Sequence, residues 1–382
     1  MTDTMHKAVR IPTLENIPVF SAPDNEALRF VRQIRLGWNL GNTLDATRRG
    51  QFRDEMAIEA SWCGCFTTPE MIQQVKDAGF NAIRVPVSWH NHVNSQDFTI
   101  SPRWLDRVQE VVDYAISRDL YVIINTHHDE SPDYFYPAQQ HMETSRRFVA
   151  AIWAQLAQRF QAYDHKLIFE CLNEPRQTGT PYEWGFKEGV AEYSEAVGCI
   201  NELNQLFVDT IRAADGYNAD RFLMVSSYAA TPDATISEQF VLPKDALPHR
   251  LIVSAHAYTP YPFALQGAGG VSVFRLDERS STTPIDKFMD GLFNRFVANG
   301  VPVILGEFGA RNKDNLQDRV DFAAYYIANA TARSMPCFWW DNNAFTGQGE
   351  TFGLLNRRSL SWTWPEIVQA MLQYCGFDEV AE

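Results

Sequence analysis

Short, nearly unbroken apolar runs alternate along the chain with longer stretches in which apolar positions recur at helical spacing. We predict eight strands from the apolar runs, over residues 34–42, 81–86, 120–127, 167–174, 221–227, 251–258, 302–308 and 336–342. Strands that are apolar throughout, rather than at every second position, are typical of a parallel sheet that is covered on both faces. The pattern therefore predicts an α/β protein.

Helices are predicted between the strands from their end signals and their periodicity. Thr68 and Pro69 read as an N-cap followed by proline at the first helical position, and Gly79 is typical of the end of that helix. Ser101 and Pro102 open the next helix in the same way. Further helices are predicted over residues 145–160, 188–212, 284–299, 316–332 and 364–374, whereas the interval 228–249 is expected to contain no long helix.

Two folds satisfy this alternation, an open doubly wound sheet and a closed (β/α)8 barrel. Polar residues stand at the carboxyl ends of nearly every predicted strand, which is where barrel active sites are built. An open sheet would concentrate such residues at one switch point. We therefore predict a single (β/α)8 TIM barrel, with one catalytic domain over residues 1–382. Residues 1–33 are expected to form an extension that covers the bottom of the barrel, with a helix over 25–34.

Composition and charge exclude several classes of partner. The chain is 45% apolar and 21% charged, as soluble globular proteins are. A net charge of −14 argues against nucleic acid and against an anionic membrane surface, because both are bound by Lys and Arg. No run approaches the roughly 18 apolar residues that would span a bilayer. Residues 1–10 lack the apolar core of a signal peptide, so the chain is read as cytoplasmic or as a mature or recloned form.

Two of the predicted strands end in a glutamate. The run 167–174 brings Asn173 and Glu174 to a point where Pro175 is expected to end the strand, because proline cannot donate to a sheet ladder. A later strand carries Glu307 near its end. A buried carboxylate is costly unless it is used or paired. Two carboxylates in one site are the minimal equipment for cleaving a glycosidic bond.

Polar residues also stand at the ends of the other predicted strands. Arg84 would be a buried cation, so it is expected to pair with a carboxylate of the barrel, most plausibly Glu170. His256 and Tyr258 alternate, and are therefore expected to share one face of their strand. The strand-end candidates are Asn42, Arg84, His127, His128, Asn173, Glu174, His256, Tyr258, Glu307 and Trp340.

A metal site is the alternative use of the histidines. His127 and His128 are neighbours, and neighbours on a strand face opposite ways, so at most one of them is expected to enter the barrel mouth. A convincing site would need HxH or HxxxH spacing, which the adjacent His127 and His128 lack, so no metal is predicted. The six cysteines, at positions 63, 65, 171, 199, 337 and 375, have neither CxxC nor paired zinc spacing and are expected to be free or mostly buried thiols.

Several segments taken together resemble the cellulases of glycoside hydrolase family 5, and most of all its subfamily 4, which holds endo-β-1,4-glucanases, lichenases and xyloglucanases. The segments are 37–46, 80–89, 125–129, 169–176, 254–258, 304–309, 338–342 and 352–357. The resemblance extends from about residue 35 to residue 367, and the combination of motifs is highly specific. One departure is Cys63-Gly64-Cys65, which stands where relatives commonly carry Gly-Asn-Pro, so the resemblance does not define the loop on the glycone side.

The resemblance implies a role for each matching residue. Glu174 corresponds to the acid/base and Glu307 to the nucleophile of a retaining hydrolase. Trp62 and Trp184 are candidates for flanking sugar subsites, with burial in the core as the alternative. The remaining positions, expected to bind or support the substrate, are Asn42, Arg84, His127, His128, Asn173, His256, Tyr258 and Trp340.

The chemistry of retention agrees with these roles. Arg84 and Tyr258 are expected to keep Glu307 ionised, while burial and the nearby negative charge keep Glu174 protonated. Asn173 is expected to hydrogen-bond the sugar 2-hydroxyl. Trp340 offers a platform for the sugar at the cleavage point.

The expected function is therefore an endo-acting, retaining β-1,4-glucan hydrolase that requires no cofactor and acts as a monomer on cellulose, mixed-linkage glucan or xyloglucan. Because a polymer does not readily enter a cell, secretion is expected. Three alternatives stay open: a xylanase or mannanase on the same barrel, a carbohydrate-binding barrel without catalysis, and a metal-dependent barrel hydrolase.

Overall fold

A closed barrel of eight parallel strands forms the centre of the protein, in a computed structural model that describes residues 9–50 and 53–376. Neighbouring strands pair in sequence order, and β1 closes the ring against β8. The strands are β1 (Gly37–Leu40), β2 (Ala82–Val85), β3 (Tyr121–Asn125), β4 (Leu167–Glu170), β5 (Leu223–Ser226), β6 (Leu251–His256), β7 (Val303–Phe308) and β8 (Cys337–Asp341). The predicted (β/α)8 fold is confirmed.

Helices follow the strands around the outside of the barrel. They are α1 (Glu26–Gln33), α2 (Pro69–Asp77), α3 (Pro102–Ile116), α4 (Met142–Arg159), α5 (Ala191–Arg212), α6 (Pro232–Ile236), α7 (Tyr261–Ala264), α8 (Arg279–Arg295), α9 (Leu316–Ala332) and α10 (Pro365–Tyr374). A small antiparallel pair, β9 (Leu355–Asn356) and β10 (Ser361–Trp362), precedes α10. Short 3-10 turns lie at Glu55–Ile58, His90–His92, Gln139–His141, Gly216–Ala219, Tyr228–Ala230 and Val297–Asn299. As expected, the interval 228–249 carries only the five-residue helix α6.

The end of β4 differs from its prediction. The strand was expected to continue to Glu174, but its ladder ends at Glu170, which pairs with Asn125 of β3 and Met224 of β5. Pro175 therefore does not end the strand, since the chain has already left the sheet five residues earlier. The apolar run is longer than the strand because the residues after it enter a buried loop, where Cys171 and Leu172 remain inaccessible to solvent.

Helix α1 packs against the end of the barrel at which the strands begin. Asn25 caps it by accepting from the backbone N–H of Leu28. On its buried face, Phe30 stacks on Phe222, directly before β5, with ring centroids 3.8 Å apart, and it meets Tyr121 at the start of β3. The predicted extension 1–33 includes residues 1–8, which lie outside the described range, and the single-domain boundaries stay a prediction.

The pairing register between β6 and β7 is irregular near the ends of these strands. Ala255 pairs with Leu305, but the next residue, His256, pairs with Glu307, so one residue of β7 is skipped. Such bulges re-aim the side chains that follow them and are common beside functional sites. The bulge brings His256 and Glu307 level at the carboxyl end of the barrel.

Candidate active site

The guanidinium of Arg84, on β2, lies at the centre of the carboxyl end of the barrel and is fully buried. Its Nε donates to Glu170 Oε2 at 2.7 Å, and its Nη1 donates to Glu307 Oε1 at 2.7 Å and to Asn39 Oδ1 at 3.0 Å. Its Nη2 donates to Asn173 Oδ1 at 2.6 Å. One cation therefore ties together side chains from β1, β4 and β7 and from the loop after β4.

Glu170 is held from three sides and has no exposed surface. Besides Arg84, it accepts from Asn125 Nδ2 at 3.0 Å and from Ser254 Oγ at 2.7 Å. Because both carboxylate oxygens are occupied and no solvent reaches them, Glu170 is equipped to position its neighbours rather than to react. The expected contact between Glu170 and Arg84 is present.

Glu174 lies in the loop after β4, four residues beyond the strand end. The backbone N–H of Asn173 donates to Thr126 O at 2.9 Å, which fixes this loop to the segment after β3. Glu174 Oε1 lies 2.8 Å from His256 Nδ1, and 15% of its side chain stays accessible. Unlike Glu170, it presents a carboxyl group to the cleft.

Glu307, on β7, faces the same cleft. Its Oε1 accepts from Arg84 and its Oε2 accepts from Tyr258 OH at 2.9 Å. One oxygen of Glu307 and one of Glu174 lie within 4.8 Å of each other, with a ring nitrogen of His256 at the same range. Tyr258 lies beyond the end of β6, so its shared direction with His256 arises from the loop and not from strand alternation.

Gly306 allows this close approach. A Cβ atom at position 306 would lie 2.9 Å from His256 Nε2 and 3.2 Å from Ser254 Oγ. Its carbonyl oxygen accepts from Asn39 Nδ2 at 3.0 Å. A side chain here would therefore displace the histidine that bridges the two glutamates.

The pKa values of the two glutamates depart from the expected order. Burial raises the pKa of Glu307, and the negative charge of Glu174 adds to this, outweighing the positive charges of His256 and Arg84. Burial also pushes the pKa of Glu174 upward, but the hydrogen bond with His256 and the charges of His256 and Arg176 hold it below its usual value. Both directions run against the expectation of an ionised Glu307 beside a protonated Glu174, because His256 contacts Glu174 more closely than Glu307.

Histidine and tryptophan side chains line the cleft beside the glutamates. The rings of His127 and Trp340 are parallel, with centroids 5.7 Å apart and an angle of 2° between planes. The ring of His128 meets that of His127 edge-on at 4.4 Å. Both histidines follow the end of β3 at Asn125, so the expectation that strand alternation would separate them is wrong.

These histidines also lie near a carboxylate, in an arrangement that could suggest a metal. Ligand atoms of Asp45, His127 and His128 lie within 4.8 Å of one another. However, Asn125 Nδ2 lies 3.1 Å from His127 Nδ1. Because an amide nitrogen can only donate a hydrogen bond, His127 Nδ1 is the acceptor. The proton of His127 is therefore on Nε2, which makes that nitrogen a hydrogen-bond donor and not a metal ligand. The prediction of no metal stays a prediction.

Most of the chain matches a known protein family. A family profile described as cellulase (glycosyl hydrolase family 5) matches residues 46–346. Endoglucanase 1 from Ruminococcus albus is 41% identical over 372 residues, which span 95% of this chain and 86% of that protein. The chain belongs to glycoside hydrolase family 5.

Solved structures of the family superpose closely. A family 5 lichenase from Caldicellulosiruptor sp. F32, a mutant in complex with cellotetraose, matches with a TM-score of 0.94 and 52% identity, covering 96% of this chain and 100% of that one. A subfamily 4 broad specificity endoglucanase from Ruminococcus champanellensis, with bound cellotriose, matches with a TM-score of 0.85 and 42% identity over 92% and 100% of the two chains. The predicted family is confirmed, and this protein is a glycoside hydrolase of the endoglucanase type.

Two tryptophans stand on loops at the rim of the family 5 cleft. Trp62 is 44% exposed, and its ring lies 5.8 Å from that of His128. Trp184 is 59% exposed and lies under the guanidinium of Arg176, 4.3 Å from its ring centroid. The alternative that they belong to the core is wrong for both residues.

Asn42 occupies the turn after β1, with a left-handed φ of 60°. Its backbone N–H donates to Asp45 Oδ2 at 3.0 Å. The preceding Gly41 abuts Trp340, since a Cβ at position 41 would lie 2.8 Å from that indole. Asn42 therefore directly follows the residue that packs against Trp340.

Four polar residues of this centre were given no role on the basis of the sequence. They are Asn39, Asn125, Ser254 and Arg176. Asn39 and Asn125 lie in otherwise apolar strands, and the register pairs Asn39 with Arg84 and Asn125 with Glu170. A buried amide beside a buried charge in the ladder was the signal that could have found them. Ser254 and Arg176 carry no such signal in the ladder, although both lie in segments that match the family motifs.

Within the ranges 9–50 and 53–376, no helix combines the length and apolar character needed to cross a membrane.

Proposed function

We propose that the protein cleaves internal β-1,4 bonds of β-glucan chains with retention of configuration, through a covalent glycosyl-enzyme. Glu307 is the nucleophile and Glu174 the acid and later the base. The observation that carries the proposal is the approach of their carboxylate oxygens to within 4.8 Å. Retaining glycosidases hold these groups about 5–5.5 Å apart, whereas inverting enzymes leave about 6.5–9.5 Å for a water.

The first step needs one ionised and one protonated carboxyl group. Because the two carboxyl groups are coupled, they lose their protons in two steps that belong to the pair. At a pH between the two apparent pKa values, the pair holds one proton. Arg84 and Tyr258 both donate to Glu307, and such donors favour its ionised form. When the glycosidic oxygen replaces His256 as the partner of Glu174, the contact that lowers the pKa of Glu174 is lost and the proton resides there.

The second step reverses these roles. Once Glu307 is esterified, it carries no charge, and Glu174 becomes the stronger acid. As a carboxylate it then takes the proton of the incoming water. Glu170 keeps Arg84 in place throughout, since that pair has no exposed surface.

The remaining residues bind the sugar. Asn173, held by Arg84 Nη2, is directed at the 2-hydroxyl, a contact that strengthens in the transition state. His127 donates from Nε2, and Trp340 forms the platform at the cleavage point. Trp62 and Trp184 form outer subsites, while Asn42, His128, His256 and Tyr258 shape the cleft around the two glutamates.

A glucan substrate is supported by the relatives, which include a lichenase bound to cellotetraose and a broad specificity endoglucanase bound to cellotriose. A net charge of −14 suits a neutral polysaccharide better than a polyanion. We also propose that the protein is a single catalytic domain over residues 1–382, whose segment 1–33 covers the barrel bottom. We propose that the protein is secreted, because its polymeric substrate lies outside the cell. We further propose that it acts as a monomer.

The decisive experiment follows the anomeric proton of the first product by NMR during hydrolysis of mixed-linkage glucan. Initial appearance of the β-anomer supports the proposal, and initial appearance of the α-anomer refutes it. Rates on carboxymethylcellulose, mixed-linkage glucan, xyloglucan, xylan and mannan define the substrate. A preference for xylan or mannan would refute the glucan assignment while leaving the mechanism intact.

A further inference from the structure

The cysteines fall into two groups that differ in burial. Cys171, Cys199, Cys337 and Cys375 are buried, and burial raises the pKa of each of their thiols. Cys63 and Cys65 are half-buried, in the loop that follows the short turn Glu55–Ile58. Thiols in the first group are unreactive, so any thiol chemistry of the folded protein belongs to the second.

The two accessible sulfurs face each other. Cys63 Sγ and Cys65 Sγ lie 3.9 Å apart. A disulfide has an S–S distance of about 2.05 Å, so closure requires an approach of roughly 2 Å. Gly64 between them has a φ of 76°, a left-handed conformation that glycine adopts without strain. The loop is thus bent so that its two thiols converge.

The surroundings favour a thiolate at the first position. The hydrogen bond from the Cys65 thiol, aided by the positive charge of Arg357, lowers the pKa of Cys63 to about 6 against the opposing effect of burial. The same interaction raises the pKa of Cys65. At neutral pH the pair therefore offers one nucleophilic sulfur and one protonated sulfur beside it, the arrangement that redox dithiols need.

The loop is also connected to the cleft. Trp62, the half-exposed tryptophan beside His128, directly precedes Cys63. Asn343 Nδ2, after the end of β8, donates to Cys63 O at 3.1 Å. Arg358 Nη2 donates to Gly64 O at 2.8 Å. A movement that joins the sulfurs therefore strains these two carbonyl contacts and shifts the tryptophan.

We propose that Cys63 and Cys65 form a modification site, a dithiol that small-molecule disulfides oxidise reversibly to an intraloop disulfide, and that closure moves Trp62 out of its subsite. The second part rests on the proposed glucan hydrolysis, because it requires Trp62 to contact the polymer. The first part depends only on the thiols.

The reaction balances as two successive exchanges. The Cys63 thiolate attacks a sulfur of the external disulfide and expels one thiolate, which takes up a proton, leaving a mixed disulfide on Cys63. Cys65 then loses its proton and attacks Cys63 Sγ, expelling the second external thiol. Overall, counted from the protonated dithiol, the protein loses two protons and two electrons, and the external disulfide takes them up to become two thiols.

The test uses the folded full-length protein with oxidised glutathione as the probe. We expect the intact mass to fall by two hydrogens, peptide mapping to join Cys63 to Cys65, and dithiothreitol to restore the starting mass. On mixed-linkage glucan we expect KM to rise about two- to tenfold, the scale of one lost aromatic contact, with kcat unchanged.

Matched variants separate the steps. Cys65→Ser should stop at the glutathione adduct on Cys63, and Cys63→Ser should form no disulfide within the loop. Cys199→Ser, which removes a buried thiol, should behave like the parent protein. Trp62→Ala should still form the disulfide but show no further rise in KM.

Two results would overturn the proposal in distinct ways. An unchanged mass, a stable glutathione adduct on the parent protein, or a disulfide mapped to other cysteines refutes the dithiol. A mapped disulfide with unchanged KM, or with the same rise in Trp62→Ala, refutes the link to the cleft. If the reduced protein hydrolyses no glucan, the proposed function fails, and the mass measurement still decides the dithiol.

Discussion

In the barrel centre, Arg84 and Glu170 have no exposed surface and share hydrogen bonds with residues from five different strands or strand ends. At the rim of the same cleft, Trp62 and Trp184 stand on loops with 44% and 59% of their surface exposed. Every nitrogen of the Arg84 guanidinium and both oxygens of the Glu170 carboxylate have a hydrogen-bond partner within the barrel. The rim is free to vary, because an exposed ring has few contacts to lose. We propose that this difference separates the chemistry, at the centre, from the choice of polymer, at the rim.

The largest effect is expected at the nucleophile. Glu307→Gln keeps the size and one acceptor oxygen, so one of the two contacts from Arg84 and Tyr258 can persist, but it removes the attacking carboxylate. Turnover of mixed-linkage glucan should fall by roughly 10⁴-fold or more, as removal of a catalytic nucleophile does. Oligosaccharide binding, measured by calorimetry, should persist. A near-parental rate would refute the role of Glu307 and with it the idea that the centre performs the chemistry.

The acid/base should show a substrate-dependent loss. Glu174→Ala should slow hydrolysis of glucan by about 10²–10⁴-fold, the usual contribution of a positioned acid. Aryl glycosides with good leaving groups need no proton, so their first step should be nearly unaffected. An equal loss on both substrate types would contradict proton donation. Initial rates on carboxymethylcellulose and on a dinitrophenyl glycoside decide the matter.

The loss of unfolding free energy should be larger for a substitution in the barrel centre than for one at the surface. Glu170→Gln removes one of the two buried carboxylates that pair with Arg84, and breaking a buried ion pair costs about 3–5 kcal/mol of unfolding free energy. The matched control is Asp24→Asn, which removes an exposed contact with Arg29 and should cost about 1 kcal/mol or less. Urea denaturation measures both. Equal costs in the two variants would show that the centre is no more tightly coupled than the surface.

At the rim, the effects should be on binding alone. Trp62→Ala and Trp184→Ala should each raise KM for long glucans about two- to tenfold, matching about 0.5–1.5 kcal/mol for an aromatic contact. Both variants should leave kcat and thermal stability near the parental values. Tyr217→Ala, which alters an exposed ring in the turn before β5, is the control and should change neither constant. A large fall in kcat in Trp62→Ala or Trp184→Ala would contradict the proposal that the rim affects binding alone.

The smallest effect is expected where rim and centre meet. Arg176 lies over Trp184, pairs with Glu130 at 2.8 Å and approaches Glu174 Oε2 at 3.9 Å. Its positive charge contributes to the lowered pKa of Glu174, so Arg176→Met should raise that pKa. The proton is then retained to higher pH, and the alkaline limb of the kcat/KM profile should move upward.

The control for this shift is Arg176→Lys, which keeps the charge and should keep the limb close to its parental position. Other charged or titratable groups facing Glu174 are His256, His128, Glu307, Glu130 and Glu350. All of them remain in both variants. A downward shift in Arg176→Met would show that another of these groups dominates the charge at Glu174.

Much of the fold was predictable from the sequence, because the barrel strands are continuous apolar runs and helices such as α2 carry recognisable signals at both ends, Thr68-Pro69 and Gly79. The bounds of α9, Leu316–Ala332, match the prediction, whereas β4 is four residues shorter than predicted. Hydropathy reports burial, not hydrogen bonding, so it cannot tell where a strand ends and a buried loop begins. This is why Glu174 was placed on the strand and not after it.

The sequence by itself determined the fold class, the family and the identity of the two candidate glutamates, since these depend on local patterns and motifs. The tertiary structure alone decided how those groups are coupled. His256, brought level with Glu307 by the bulge between β6 and β7, contacts Glu174 and reverses the expected order of pKa values. Distances between residues 82 positions apart in the chain decide such electrostatics, and no local pattern records them.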